Sequence, residues 1–161
     1  MKALLLKYWR FERAYYNCAV EVPFYSGIAD IVVDNGKEVV EIEVKISISD
    51  LKADFKKKKF RYFRFQDNRR YIYFICNRFY YAVSEELCQV ATKIISDMDN
   101  NFGIISVSKR AIGNKGIKII KVARKINDIL PGRIREKIMQ RTSSDLVKVK
   151  MKEEGIKWKL I

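Results

Sequence analysis

The chain has 161 residues, 48% of them hydrophobic, and its 33 Lys and Arg outnumber 19 Asp and Glu to give a formal charge of +14. This is enough apolar material for one domain with a sizeable core, and it excludes a disordered composition. Histidine is absent, which excludes His-based acid–base catalysis, Ser-His and Cys-His nucleophile pairs and the usual mixed zinc sites. Cys18, Cys76 and Cys88 are odd in number and not closely paired, so they read as buried small hydrophobes in a reducing cytosol. The cationic excess repels itself in a compact fold and points to a polyanionic partner. No stretch approaches the ~20 apolar residues of a membrane span. Lys7 interrupts the run after Met1-Lys2 too early for a signal peptide. A cytoplasmic location follows, whether nucleoid-associated or, for a viral protein, in host cytoplasm.

In chain order, Leu4 or Leu5, Tyr8, Phe11 or Glu12, and Tyr15 recur at helical spacing and predict a helix over 3–16. Residues 18–24 alternate and predict a strand, with Pro23 at an edge or a strand end. After a break at Tyr25-Ser26-Gly27, Ile28 to Lys45 predicts two strands joined by a tight turn at Asp34-Asn35-Gly36, residues that tolerate positive φ. On the second strand Val40, Ile42 and Val44 point one way, and Glu41, Glu43 and Lys45 the other. A helix is predicted over 50–65, with Ser49 as N-cap, Asp50 at the positive end of its dipole and Leu51, Phe55 and Tyr62 as its buried stripe. Lys52, Lys56, Lys57, Lys58, Lys59, Arg61 and Arg64 crowd the rest of it. Asp54 is spaced for an i,i+4 surface pair with Lys58.

The aromatic run 71–83 reads as strand broken near Asn77, with Arg78–Val83 as its regular part. Ser84–Asp97 predicts a helix capped by Ser84, with Leu87, Val90, Ala91, Ile94 and Ile95 as its apolar face. Ile104–Ser108 and Ile117–Val122 bracket a hairpin loop at Gly113–Gly116. Beyond Ala123, Pro131-Gly132 punctuates the chain. Arg133–Arg141 and Asp145–Glu154 predict two short charged helices, the second capped by Ser143 or Ser144. The chain therefore divides into a core domain over 1–123 and a basic helical C-terminal extension over 124–161, either packed on the core or an arm that orders on nucleic acid.

The chemistry concentrates in residues 28–45. Hard divalent cations such as Mg²⁺ or Mn²⁺ take oxygen ligands: one or two carboxylates, a backbone carbonyl and waters suffice. Asp30, Glu43 and the carbonyl of Val44 are candidates for those ligands. Lys45 projects from the same face as Glu43, where it can position a nucleophilic water or stabilise the transition-state charge. A solvated charged face produces Glu-x-Lys by chance. Against that, Asp30 interrupts a run that ought to be core, where an unpaired carboxylate is costly. The basic segment that follows, Lys52, Lys56, Lys57, Lys58, Lys59 and Arg61, is placed to contact a polyphosphate substrate.

Asp30 followed by Glu43-Val44-Lys45 resembles the PD-(D/E)xK pattern of restriction-endonuclease-like nucleases, with Ala29 in place of the leading Pro. The longer runs Glu43-Val-Lys-Ile-Ser-Ile-Ser-Asp-Leu-Lys-Ala-Asp54 and Cys76-Asn-Arg-Phe-Tyr-Tyr-Ala-Val83 are similar to those of the MmcB-like family in that superfamily, whose members are taken to be DNA-repair endonucleases. The similarity spans about residues 12–122. It implies an α/β restriction-endonuclease-like fold: a central mixed sheet of four or five strands flanked by helices, in the order α-β-β-β-α-β. It implies Asp30 and Glu43 as metal ligands, Lys45 as the catalytic lysine, and an acid on the first helix as a further ligand, with Glu12 the candidate and Glu21 the runner-up. The expected activity is Mg²⁺- or Mn²⁺-dependent hydrolysis of DNA phosphodiester bonds, structure-directed or nonspecific, in repair, recombination or phage DNA processing. DNA is the expected partner, a membrane is not, and a homodimer is left open by dimeric junction-resolving relatives. The rival reading is a non-catalytic nucleic-acid-binding module on the same scaffold.

Overall fold

The computed structural model describes residues 1–24, 27–57, 75–108 and 116–155. In chain order they form α1 (Lys2–Lys7), continued by a π-helical turn at Tyr8–Glu12, then β1 (Asn17–Phe24), β2 (Gly27–Asp34), β3 (Val39–Lys45) and α2 (Ile48–Asp54). There follow β4 (Arg78–Ser84), a 3₁₀ turn at Glu85–Leu87 leading into α3 (Cys88–Met98), β5 (Gly103–Val107), β6 (Ile117–Lys121) and α4 (Gly132–Glu153). The strands build one six-stranded mixed sheet in the order β1-β2-β3-β4-β5-β6. The pairs β3–β4 and β4–β5 are parallel and the others antiparallel.

Helices cover both faces of this α/β sheet. On one face Leu5 and Trp9 pack on Ile31, Val33, Val40, Ile42, Tyr80 and Ile105. On the other, α2, α3 and α4 supply Leu51, Ala91, Ile95, Ile134 and Ile138 against Val32, Val39, Phe79, Tyr81 and Ile104. Ile31-Val32-Val33 is a continuous apolar run because a central strand is buried on both sides. The edge strand β6 instead alternates partly buried and exposed residues. The sheet has one strand more than the upper count implied by the resemblance.

Several expected details shift for local physical reasons. Ser47, not Ser49, caps α2: it is extended, at φ −149° and ψ 162°, and its hydroxyl accepts from the Asp50 N–H at 3.1 Å. Ser84 makes no capping bond, because it ends β4 and the 3₁₀ turn intervenes before α3. That turn also sets the face of α3, so Ala91 and Ile95 are buried while Val90 is half exposed. The parts of the expected elements at 25–26, 58–74, 109–115 and 156–161 lie outside the described residues.

The largest difference is at the C-terminus, where one 22-residue helix replaces the two expected. Ser143 and Ser144 do not start a helix. The Thr142 and Ser144 hydroxyls donate to the carbonyls of Ile138 and Gln140, each at 2.9 Å, the back-bond such residues make inside a helix. Ile134 and Ile138 are fully buried in the core, so the first half of α4 is part of the domain.

Replacing Ile138 by Ala removes a fully buried side chain and is expected to cost about 2–4 kcal/mol. Leu146→Ala, in the exposed half of the same helix, should stay within about 0.5 kcal/mol of wild type. Urea denaturation of the two variants measures both.

Candidate functional site

The site begins where regular pairing stops. The β2–β3 ladder runs from Asp34↔Val39 to Ile31↔Ile42; one further step would set Asp30 opposite Glu43. Instead the Val44 N–H donates to Asp30 Oδ2 at 2.9 Å, so a side-chain carboxylate replaces a ladder carbonyl. On the other flank the Glu21–Asp30 step is missing between Val20↔Ile31 and Val22↔Ala29, and Glu21 has φ +52°. A left-handed conformation costs an L-residue about 1–2 kcal/mol. The distortion also changes facing: Ala29 and Val32 lie in the same core layer, although residues three apart on a regular strand face opposite ways.

The second oxygen of Asp30 is held by Lys2 of α1, whose ammonium lies 2.9 Å from Oδ1 and 3.6 Å from Glu21 Oε1. Burial alone would raise the Asp30 pKa. The Lys2 and Val44 hydrogen bonds, with the positive charges of Lys2 and Lys45, outweigh it and hold the carboxyl below its ordinary value.

A second charge cluster lies at the end of β3. Glu41, Glu43 and Lys45 are only 3%, 1% and 3% exposed, so their face is not solvated. The Ser47 cap turns the chain back so that α2 covers it. Asp50 and Asp54, one helical turn apart, then reach the buried ammonium: Lys45 Nζ is 2.9 Å from Asp54, 3.3 Å from Glu43 and 3.9 Å from Asp50. Asp54 is not the surface partner of Lys58 that the spacing predicts. It is buried, accepts from Tyr81 OH at 3.0 Å and also pairs with Lys57. Tyr81 reaches it because parallel β4 sets Tyr81 beside Glu43. Desolvation opposes the Lys45 charge, but Asp54, Glu43 and Asp50 outweigh it and raise its pKa. Burial, then the Asp54 charge, pushes the Tyr81 phenol far up, so Tyr81 stays a hydrogen-bond donor.

Asp30, Val44 and Lys45 are thus gathered at the splayed ends of β2 and β3, with Glu43 on the Lys45 side. Glu12 is exposed at the far end of the helical segment from Lys2, roughly 15 Å along the axis at helical rise, whereas Glu21 is joined to Asp30 through Lys2. Lys52 and Lys56 are exposed and Lys57 is tied to Asp54. Lys58, Lys59 and Arg61 lie outside the described residues. Sequence reasoning missed Lys2 and the placement of Asp54 and Tyr81; the signal for Asp54 was its place at the end of the run that begins with Glu43. Beside the site, a cleft of about 650 Å³ opens at the C-terminal ends of β3, β4 and β5, lined in part by Met1, Ile46, Ser84, Glu85 and Glu86. Ligands commonly bind at such strand ends in α/β sheets. Among the described residues no three or more His, Cys, Asp or Glu side chains gather as a metal-holding group.

No protein-family model and no curated protein matches the chain. Among solved structures it is similar to a protein of unknown function from Silicibacter pomeroyi, at 18% identity and a TM-score of 0.59, over 94% of this chain and 90% of that one. Likeness at that identity speaks for a shared fold. No helix among the described residues is long and apolar enough to cross a membrane.

Asp54→Ala removes the nearest counter-ion of a buried ammonium and should cost about 3 kcal/mol or more in chemical denaturation. Asp30 gives a pH test. Its pKa is lowered by folding, so its contribution is complete above the ordinary carboxylate range and is lost as pH falls through the lowered value. The stability gap between wild type and Asp30→Asn should be constant above about pH 5 and shrink below about pH 4. Urea titrations across that range measure it.

Proposed function

We propose that this protein is a divalent-metal-dependent DNA endonuclease of the restriction-endonuclease-like fold. The observation that carries the reading is the splay of β2 from β3 at Asp30. It sets a carboxylate against the Val44 amide while Glu43 and Lys45 face the adjoining charge cluster. Topology adds support: a mixed sheet with β1–β2–β3 antiparallel, then α2 and a parallel β4. The +14 charge adds further support, since the substrate is a polyanion.

The donor set suits a hard cation. Two carboxylates and the Val44 carbonyl would hold Mg²⁺ or Mn²⁺, with water completing the shell, and no third side chain is required. Both carboxylates already lie against ammonium groups, Asp30 against Lys2 and Glu43 against Lys45, so positive charge is favoured at these positions. A bound ion would supply Lewis acidity and a water of lowered pKa. Lys45 supplies a fixed cation: its raised pKa and three carboxylate neighbours suit it to stabilise negative charge on the phosphate and not to accept a proton. Asp54 and Tyr81 hold that ammonium in place.

One observation favours a second reading, a non-catalytic nucleic-acid-binding module. Asp30 and Glu43 each already have a lysine of the chain as counter-ion, so each carboxylate has a positive partner without a metal.

Wild-type protein with Mn²⁺ or Mg²⁺ is expected to cut at least one of duplex, single-stranded, flap or junction DNA. Lys45→Ala and Asp30→Asn should lower the rate at least about 100-fold while circular dichroism confirms the fold. Absence of cutting on every DNA form, or unimpaired cutting by Lys45→Ala, overturns the nuclease. Calorimetric Mn²⁺ uptake that is lost in Asp30→Asn and in Glu43→Gln speaks against the binding module.

A further inference from the structure

The second half of α4 has no explained role. Ile134 and Ile138 anchor the helix in the core, whereas from Thr142 onward nearly every residue is exposed. Isolated helical turns are marginal in water, so a projecting segment of this kind calls for a partner.

Its charge indicates which. Lys137, Arg141, Ser144, Lys148 and Lys152 follow one another at steps of four, three, four and four residues and therefore share one stripe of the helix. Between that stripe and Pro23 of β1 runs a groove of about 500 Å³. Its lining carries three cations, Lys137, Arg141 and Lys148, and the neutral polar groups of Gln140, Ser143 and Ser144, with no carboxylate among the described lining residues. Asp145 shares this side of the helix, 3.2 Å from Arg141 and 3.9 Å from Lys148, and partly offsets those two cations, while Lys137 and Lys152 lie beyond its reach on either side. An anionic, repeating ligand matches such a row: one phosphate per step of a nucleic-acid backbone.

The stripe also leads to the site. The Arg141 Nε donates to the Val20 carbonyl at 3.2 Å, and its guanidinium lies 3.6 Å from Glu21. Glu21 pairs with Lys2, and Lys2 with Asp30. An alternating line of charges thus joins the middle of the groove to the splayed end of β2.

We infer that the Lys137–Lys152 stripe of α4 is a phosphate track for one strand of duplex DNA, which it directs toward Asp30. The inference rests on the reading of the protein as one that acts on DNA. It assigns the track to α4 in addition to the basic segment that follows β3.

The test is fluorescence anisotropy of a labelled DNA duplex over a range of salt concentrations. One variant combines Lys137→Gln, Lys148→Gln and Lys152→Gln and leaves the structurally tied Arg141 in place. A second combines Lys93→Gln, Lys118→Gln and Lys125→Gln, exposed lysines on other elements, and loses the same net charge. The α4 variant is expected to bind at least about tenfold more weakly, with a log K against log salt slope shallower by about 3, while the control changes the slope by less than about 1. Equal slopes for the two variants overturn the track. A change of sedimenting mass in the α4 variant alone, with its slope unaltered, also overturns it, because the face then joins two copies of the chain. Cutting assayed in parallel keeps the hypotheses separate. Cutting by wild type with equal slopes removes the track and leaves the nuclease. Track-dependent binding without cutting removes the nuclease and leaves the track.

Discussion

One buried cation constrains what can surround it in this structure. Lys45 ends a core strand with its side chain at 3% exposure, and an uncompensated charge there would cost several kcal/mol. That constraint fixes what surrounds it. The chain must turn within a few residues of β3, which the Ser47 cap achieves, and α2 must cross back so that Asp50 and Asp54 lie over the ammonium. The strand beyond α2 pairs parallel to β3 in the register that sets Tyr81 beside Glu43, from where it reaches Asp54. The gross attraction at 2.9 Å is about 6 kcal/mol at an effective dielectric of 20, comparable with the desolvation of the two ions. Hydrophobic residues of the same volume would hold the fold about as well. The cluster therefore contributes little net stability, and its use lies in placing a fixed positive charge at a strand end.

The run from Cys76 to Val83 ties that placement to the opposite end of the sheet. The Asn77 side chain accepts from the Val39 N–H at 2.7 Å and donates to the carbonyls of Asn127 and Ile129 at 2.8 and 3.0 Å. It thereby joins the starts of β3 and β4 to the segment leading into α4. Arg78 bonds Glu38 and the Ala123 carbonyl, and Glu38 also accepts from Tyr15. Farther along β4, Phe79 and Tyr81 face α2 and α3, while Tyr80 and Ala82 face α1. The motif is a structural strut from end to end. Tyr81 touches the charge cluster through Asp54.

Strands and turns were legible because they are local. Alternation located β1 and β3, the Asp34-Asn35-Gly36 turn located the hairpin, and Asp30 within an apolar run marked the end where β2 splays from β3. What failed depended on contacts distant in sequence. Whether Glu41, Glu43 and Lys45 faced water or protein was decided by the return of α2, which alternation along one strand cannot report. Asp54 and Lys58 are correctly spaced for a surface pair, so local reasoning had no ground to send Asp54 inward. Lys2 meets Asp30 only because Leu5 and Trp9 dock α1 on the sheet. At the C-terminus the hydroxyls of 142–144 resemble a cap signal, yet no Gly or Pro interrupts Arg133–Glu153, and back-bonding lets the helix continue.

The two carboxylates at the strand ends are neutralised in physically different ways. Glu43 faces an ammonium boxed in by Asp54 and Asp50 and almost sealed from water. Asp30 faces Lys2, a side chain 36% exposed at the first turn of a helix without a side-chain cap. Breaking the first contact strands a buried charge, at about 3–5 kcal/mol. A partly exposed pair such as the second is generally worth less than about 1 kcal/mol, and Lys2 would keep Glu21 as a partner 3.6 Å away. A cation arriving from solvent would therefore displace Lys2 far more readily than Lys45. Asp30 is the carboxylate more open to exchange, and Lys45 is the charge held in place.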